Sequence, residues 1–424
     1  MHDPTSAVPA TTCDVLIVGG GLVGASLACA LEGSGLRAVL VEAEPPRAGA
    51  TPDCDGRNLA LAAASVNALD ALGVSRLLAT PPTPIRRIHV SRRGEFGSVR
   101  LEATDYGRAQ FGGIVAAYEL GNALEARLAE LTGLQRLART RLVAVHDAVG
   151  ELRQVELESD GKRRLIATRL LVGADGTGSS VRSLLGIDCD RHDYAQTLFV
   201  SRVHAARAAN GTAWERFTDN GPVALLPQSS GDYGCICTLP TLQANAVSAL
   251  DDAGYLALLQ EQFGWRVGRF TGVGRRVAYP LHLLAARVLI ARRAVLLGNA
   301  AQTLHPLGAQ GFNLGLRDAL TLAELVTQAH TAHADIGADD LLQRYSARRQ
   351  PDRDATIGFS DGLARITANP SLPLSWLRSL ALAAIDAAPS LRARIVGAAM
   401  GFHIDGPLLA RDPLLRPALG EAMR

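Results

Sequence analysis

The sequence predicts an α/β fold: a Rossmann-like parallel-sheet domain, interrupted by an inserted, mainly antiparallel sheet and followed by C-terminal helices. Three observations predict it. A strand-length apolar run, a glycine turn and a helical pattern succeed one another over residues 14–31; two further apolar runs lie far downstream, at 170–174 and 294–297; and shorter alternating runs fill the chain between them.

The first element is Asp14-Val-Leu-Ile-Val18, continuously apolar as a strand buried on both faces would be. Gly19-Gly-Gly21-Leu-Val-Gly24 follows, and then Ala25 to Leu31 at helical spacing. In a GxGxxG turn Gly19 permits the bend, Gly21 lets backbone approach a pyrophosphate, and Gly24 lets helix pack on strand, while the helix N-terminus offers unpaired N–H groups. A second strand, Ala38-Val-Leu-Val41, ends in Glu42, 18 residues after Gly24 and close to the ~20 expected of a carboxylate that accepts from a ribose hydroxyl. A glycine turn alone is a weak signal; embedded in strand, helix, strand and acid it reads as a dinucleotide site. There is no second such site: Gly272-Val-Gly274 runs into Arg-Arg-Val, and no CxxC is present.

Leu170-Leu-Val-Gly-Ala174 and Ala294-Val-Leu-Leu297 each precede a small-residue turn, as parallel strands do. Between them Leu198–Val203, Val223–Pro227 and Gly234–Leu239 alternate, the pattern of an inserted antiparallel sheet. The polar run Glu158–Arg164 reads as a hairpin tip. Residues 361–424 are alanine- and leucine-rich with helical spacing around Trp376 and over Ala393–Met400, where Arg378, Arg392 and Arg394 interleave.

At 424 residues the chain suits two or three domains, and 48% apolar residues suffice for a core. With 43 Lys plus Arg against 41 Asp plus Glu, a formal charge of +2 gives no field for gripping a polyanion, so no nucleic acid is expected. The single lysine, Lys162, sits in the hairpin tip, which argues against Schiff-base or P-loop chemistry. Six cysteines show no zinc spacing, and Cys235 and Cys237 share a strand face as small core residues. Residues 1–12 lack the basic and apolar regions of a signal peptide, and arginines interrupt every long apolar stretch. The expectation is a reducing, cytoplasmic location, with at most peripheral contact on the inner face of the cytoplasmic membrane.

Three motifs complete the pattern: Asp175-Gly176-Thr-Gly-Ser179-Ser-Val-Arg182, Gly298-Asn299-Ala-Ala, and His305-Pro306-Leu-Gly308-Ala-Gln310-Gly311-Phe-Asn313-Leu-Gly-Leu-Arg317-Asp318. In order and separation they resemble the fingerprints of the group A flavoprotein monooxygenases, the para-hydroxybenzoate hydroxylase fold. The last run resembles the ubiquinone-biosynthesis hydroxylases within that group, as do Glu215–Thr218, Gly221-Pro222, Leu226-Pro227, Tyr279-Pro280 and Arg348–Arg353, so that the resemblance covers most of residues 13–360. It implies a non-contiguous FAD domain (13–85, 112–185 and 288–360), a substrate domain (86–111 and 186–287) and a C-terminal helical segment (361–424). It also implies FAD as cofactor, NADPH or NADH as reductant without a Rossmann site of its own, and O2 as co-substrate. Through a C4a-hydroperoxyflavin such an enzyme hydroxylates the ring of a polyprenylated methoxyphenol, with ubiquinone-biosynthesis proteins as partners. A small soluble phenol, another ring position, and a non-catalytic FAD-binding subunit of a biosynthetic complex stay open.

Carried onto this chain, the resemblance assigns cofactor contact to Gly19, Gly21, Gly24, Glu42, Arg57, Asp175, Gly176, Gly298, Asn299, Gly308, Gln310, Gly311 and Asn313. His305, with Pro306, is the candidate for polarising the phenol or relaying protons. Trp214 and Tyr279 are candidates for lining the ring pocket. A helix beginning near Phe312, with Leu316, Ala319, Leu320 and Ala323 toward the sheet, would aim its N-terminus at the flavin. There are two departures: Asn299 replaces the usual aspartate and loses charge assistance, and Ala309 replaces a glycine, a strain of about 1 kcal/mol if the position needs a positive φ.

Overall fold

The computed structural model describes residues 11–44, 57–95, 97–368, 396–397, 400–402 and 405–411. Strand β1 (Thr11–Val18) is central in an eight-stranded sheet. Helix α1 (Leu22–Ala30) leads to β2 (Ala38–Glu42), which runs parallel to β1 with Val15 opposite Ala38. On the other side lies β3 (Lys162–Gly173), also parallel, and beyond it β4 (Ala294–Leu296). The central stretches of these four strands are apolar because layers cover both faces; Leu16, Ile17, Leu170, Leu171, Val295 and Leu296 are fully buried. The expected hairpin tip is present, turning at Asp160 (φ 50°) and Gly161 (φ 73°), left-handed conformations that tight hairpins favour.

A nine-stranded sheet forms the second unit, in the order Gln302–Thr303, Val277–Ala286, Cys189–Ala205, Tyr233–Pro240, Gly221–Pro227, Thr212–Thr218, Arg87–Arg92 and Ser98–Glu102, with Phe270–Val273 pairing at its side. Every pairing is antiparallel except Thr212–Thr218 with Arg87–Arg92. Side chains alternate between two faces. Phe199, Val203, Leu225, Cys235 and Cys237 pack under the helix Asp252–Phe263, whereas Leu198, Val200 and Leu281 look the other way. A small sheet of Asn58–Ala62, Gly112–Ala116 and Thr83–Ile85, which the sequence patterns did not announce, packs against that second face through Ile85, Ile114 and Leu226.

Helix α2 (Gln310–Thr331) starts two residues earlier than its spacing suggested and buries Leu316, Ala319, Leu320 and Ala323 as expected. Helix α3 (Asp339–Ala368) packs on it. Most of 361–424, including Trp376, Arg378, Arg392 and Arg394, lies outside the described residues. Among the described residues no helix is long and apolar enough to cross a membrane, and no cluster of metal-binding side chains occurs.

Candidate active site

The glycine turn divides its labour by geometry. Gly19 has φ +104°, and a Cβ there would lie 2.5 Å from the carbonyl oxygen of Ala174. A Cβ on Gly24 would lie 1.9 Å from the carbonyl of Gly19, so this glycine lets α1 close onto the turn itself. Gly21 differs: it has φ −66° and a Cβ there would meet nothing within 4 Å, so it faces an open cradle at the start of α1. Glu42 stands beside that cradle, its carboxylate accepting from the N–H of Gly20 at 2.6 Å and of Glu44 at 3.0 Å.

The two downstream turns join this one. Gly298 (φ +53°) sits so near α1 that a Cβ would lie 3.0 Å from Val23 Cγ2. Arg182 donates to the carbonyls of Ala300 and Thr177, both at 2.8 Å, and Thr177 and Thr303 share a hydroxyl hydrogen bond at 2.9 Å. Asp175 has a part within the turn itself. Its carboxylate accepts from Ser179 Oγ (2.5 Å) and from the N–H groups of Ser180 (2.7 Å) and Val181 (3.1 Å), closing its own turn, while Gly176 (φ +80°) leaves open space beside it. Asn299 is exposed next to Gly298.

The third turn precedes α2. Gly308 (φ 70°) and Ala309 (φ 50°, ψ 38°) are both left-handed, so the alanine does occupy the conformation that favours glycine. Gln310 Nε2 donates back to the Gly308 carbonyl at 3.0 Å, and Gly311 is open on its Cβ side. Asn313 is buried, its Oδ1 accepts from Ala62 N (2.9 Å), and its Nδ2 donates to the carbonyls of Ala60 and Ala309 (both 2.9 Å). These bonds clamp the small sheet to the turn.

His305 is 1% exposed. Its Nδ1 accepts from Leu307 N–H at 3.3 Å, which puts the proton of the neutral ring on Nε2, an atom without a hydrogen-bond partner among the described residues. Burial pushes its pKa down to about 4 against the opposing charge of Asp361, so the ring is neutral at pH 7. Tyr194 meets it edge-on at 4.9 Å and donates its hydroxyl to Asp361 at 2.9 Å. Nothing in the sequence pattern singled out Tyr194, one more aromatic in a strand.

The two aromatic candidates part company. Tyr279 lines a cavity of about 430 Å³ together with Asn58, Ile114, Val200 and Gln228, and the Arg57 guanidinium lies 6.0 Å from its ring centre. Trp214 points away, against His89 and Phe263 on the face under the helix, and is core.

An open cradle at a helix N-terminus, an acid at the end of the second strand and glycines at two more strand-end turns fit a nucleotide cofactor of FAD size. Fold and site together define a flavoprotein of the aromatic-hydroxylase architecture, a dinucleotide domain into which a sheet domain is inserted. The chain belongs to the FAD binding domain family, whose model matches residues 12–360. It is 34% identical to ubiquinone hydroxylase UbiL of Rhodospirillum rubrum over 411 residues, 96% of this chain and 95% of that one. It is 29% identical to the 3-demethoxyubiquinol 3-hydroxylase of Escherichia coli, over 92% of this chain and 98% of the other. In fold it is similar to PqsL, a probable FAD-dependent monooxygenase of Pseudomonas aeruginosa, at a TM-score of 0.71 and 24% identity over 88% of this chain and 100% of that one.

Proposed function

We propose that the chain hydroxylates the ring of a polyprenylated methoxyphenol in ubiquinone biosynthesis, as a 2-octaprenyl-6-methoxyphenol hydroxylase does, consuming NADPH or NADH and O2. The observation that carries this reading is the likeness to a ubiquinone hydroxylase along nearly the whole length of both chains. FAD, when bound, supplies the electron transfer and oxygen activation. Gly21 and the N–H groups of α1 hold its pyrophosphate, Glu42 its ribose, and the N-terminus of α2 favours negative charge at the ring. His305, neutral and buried, offers an Nε2–H to an oxygen in the cleft. The apolar face of the inserted sheet excludes water. A lipid-tailed substrate brings the protein to the inner face of the cytoplasmic membrane and to the other enzymes of the pathway.

Quinone profiling by mass spectrometry in bacteria with and without the gene tests this. Accumulated polyprenyl-methoxyphenol with lost ubiquinone is the expected result. Unchanged ubiquinone overturns the substrate and directs the search to soluble phenols.

A further inference from the structure

The face of the inserted sheet that looks toward the FAD domain is apolar along its middle row, with one exception. Directly paired residues carry the row across six strands as Val90, Glu215, Ala224, Ile236, Val200 and Val277, and directly paired residues share a face. Two residues along the strand in one direction, Phe217 packs with Leu307 of the turn that carries His305. Two residues in the other direction, Ala213 packs in the cluster that includes Ala60 and Ile114 of the small sheet. Glu215 therefore stands between the His305 turn and the small sheet, on the same face as Tyr279.

Among the described residues Glu215 makes no hydrogen bond and no ion pair. Of the other charged or titratable groups on this face and on the elements against it, His305 keeps its Nε2–H without a partner and makes no hydrogen bond to Glu215, and the rest are engaged elsewhere. Arg92 bonds Glu95 and Asp219, Arg202 bonds Asp232, Tyr194 bonds Asp361, and Arg57 lies at Tyr279. Burial alone pushes the Glu215 carboxyl up to about 7. A carboxyl group in such surroundings is costly unless a hydrogen-bond donor reaches it.

We infer that the donor is the ring hydroxyl of the aromatic substrate, held by Glu215 so that one ring carbon is presented for hydroxylation. This rests on the function proposed above and adds to it the residue that orients the ring. A phenol is an O–H donor on an otherwise apolar disc, which matches one acceptor in an apolar wall.

The test uses the flavin-loaded protein, a short-chain prenylated methoxyphenol and its O-methyl ether, which lacks the donor. With the phenol, Glu215→Leu should lower product formed per NAD(P)H oxidised by about tenfold or more and raise peroxide release, the scale of a lost substrate hydrogen bond in a buried site. Glu215→Gln, whose carbonyl still accepts, should recover most of that loss. With the ether, the wild type should fall to the level of the leucine variant, so that the two changes do not add. Equal losses by the leucine variant on both substrates, or wild-type coupling on the phenol, overturn the assignment. A wild-type protein that forms product from neither substrate overturns the functional reading itself, and Glu215 falls with it. Bound flavin per chain reports folding of each variant independently of turnover.

Discussion

Arg349 donates to the carboxylate of Asp318 at 2.7 Å with both side chains almost wholly buried. The second oxygen of Asp318 accepts from Gln302 Nε2 at 2.8 Å and from the N–H of Gly298 at 3.4 Å. One carboxylate thus ties α3 to α2 and both to the glycine turn at the cofactor site. Asp318→Asn leaves the buried guanidinium with Asp352 (2.7 Å) as its one remaining carboxylate partner, and loss of the charged hydrogen bond should cost about 1–3 kcal/mol. The expected outcome is a lower denaturation midpoint together with weaker flavin retention; a variant as stable and as yellow as wild type would make the pair dispensable.

Gly21 and Gly24 should fail in different ways. At Gly24 an added Cβ strikes the Gly19 carbonyl, so Gly24→Ala should yield little folded protein. At Gly21 the space is open, so Gly21→Val should fold with a near-normal midpoint yet lose most of its flavin, because the side chain fills the cradle. Absorbance per chain at the flavin band separates the two, and a fully flavinated Gly21→Val would refute the pyrophosphate assignment.

Ala309 is held at φ 50°, a conformation that costs an L-residue about 1–2 kcal/mol and glycine almost nothing. Glycine is more disordered in the unfolded chain by about 0.4–1 kcal/mol. Ala309→Gly should therefore stabilise the protein by up to about 1.5 kcal/mol, read as a higher denaturation midpoint.

His305 and His89 both have pKa values lowered to about 4, chiefly by burial. Above pH 6.5, the ordinary value, both folded and unfolded chains carry them neutral. As pH falls from 6.5 toward 4 only the unfolded chain takes up the protons, so stability should be lost across that window. His305→Asn should flatten that part of the stability–pH curve. Separately, His305→Ala should slow hydroxylation or raise peroxide release, and an unchanged coupling ratio would retire a catalytic role.

The parts of this site legible in the sequence are those that the backbone itself demands. Gly19, Gly24 and Glu42 could be read because a tight turn between a buried strand and a helix leaves few alternatives. The side-chain directions in the inserted sheet could not. Trp214 and Glu215 are neighbours, and which of them faces the cleft depends on pairing with Arg87–Arg92 and Gly221–Pro227, a register set far away in the chain. The clamping bonds of Asn313 were hidden for a related reason. An asparagine at a helix start does not show which strand it clamps when that strand lies about 250 residues earlier.

The order of strands in the parallel sheet also governs how the chain is made. β3 pairs Leu171 with Ala294 of β4, so one edge of the sheet lacks its partner until 123 more residues have been synthesised. At about 5–20 residues per second that is roughly 6–25 s, during which an apolar strand edge is exposed on the ribosome. The interrupted architecture thus makes chaperone supply and expression temperature, as well as flavin, determinants of how much active protein a cell obtains.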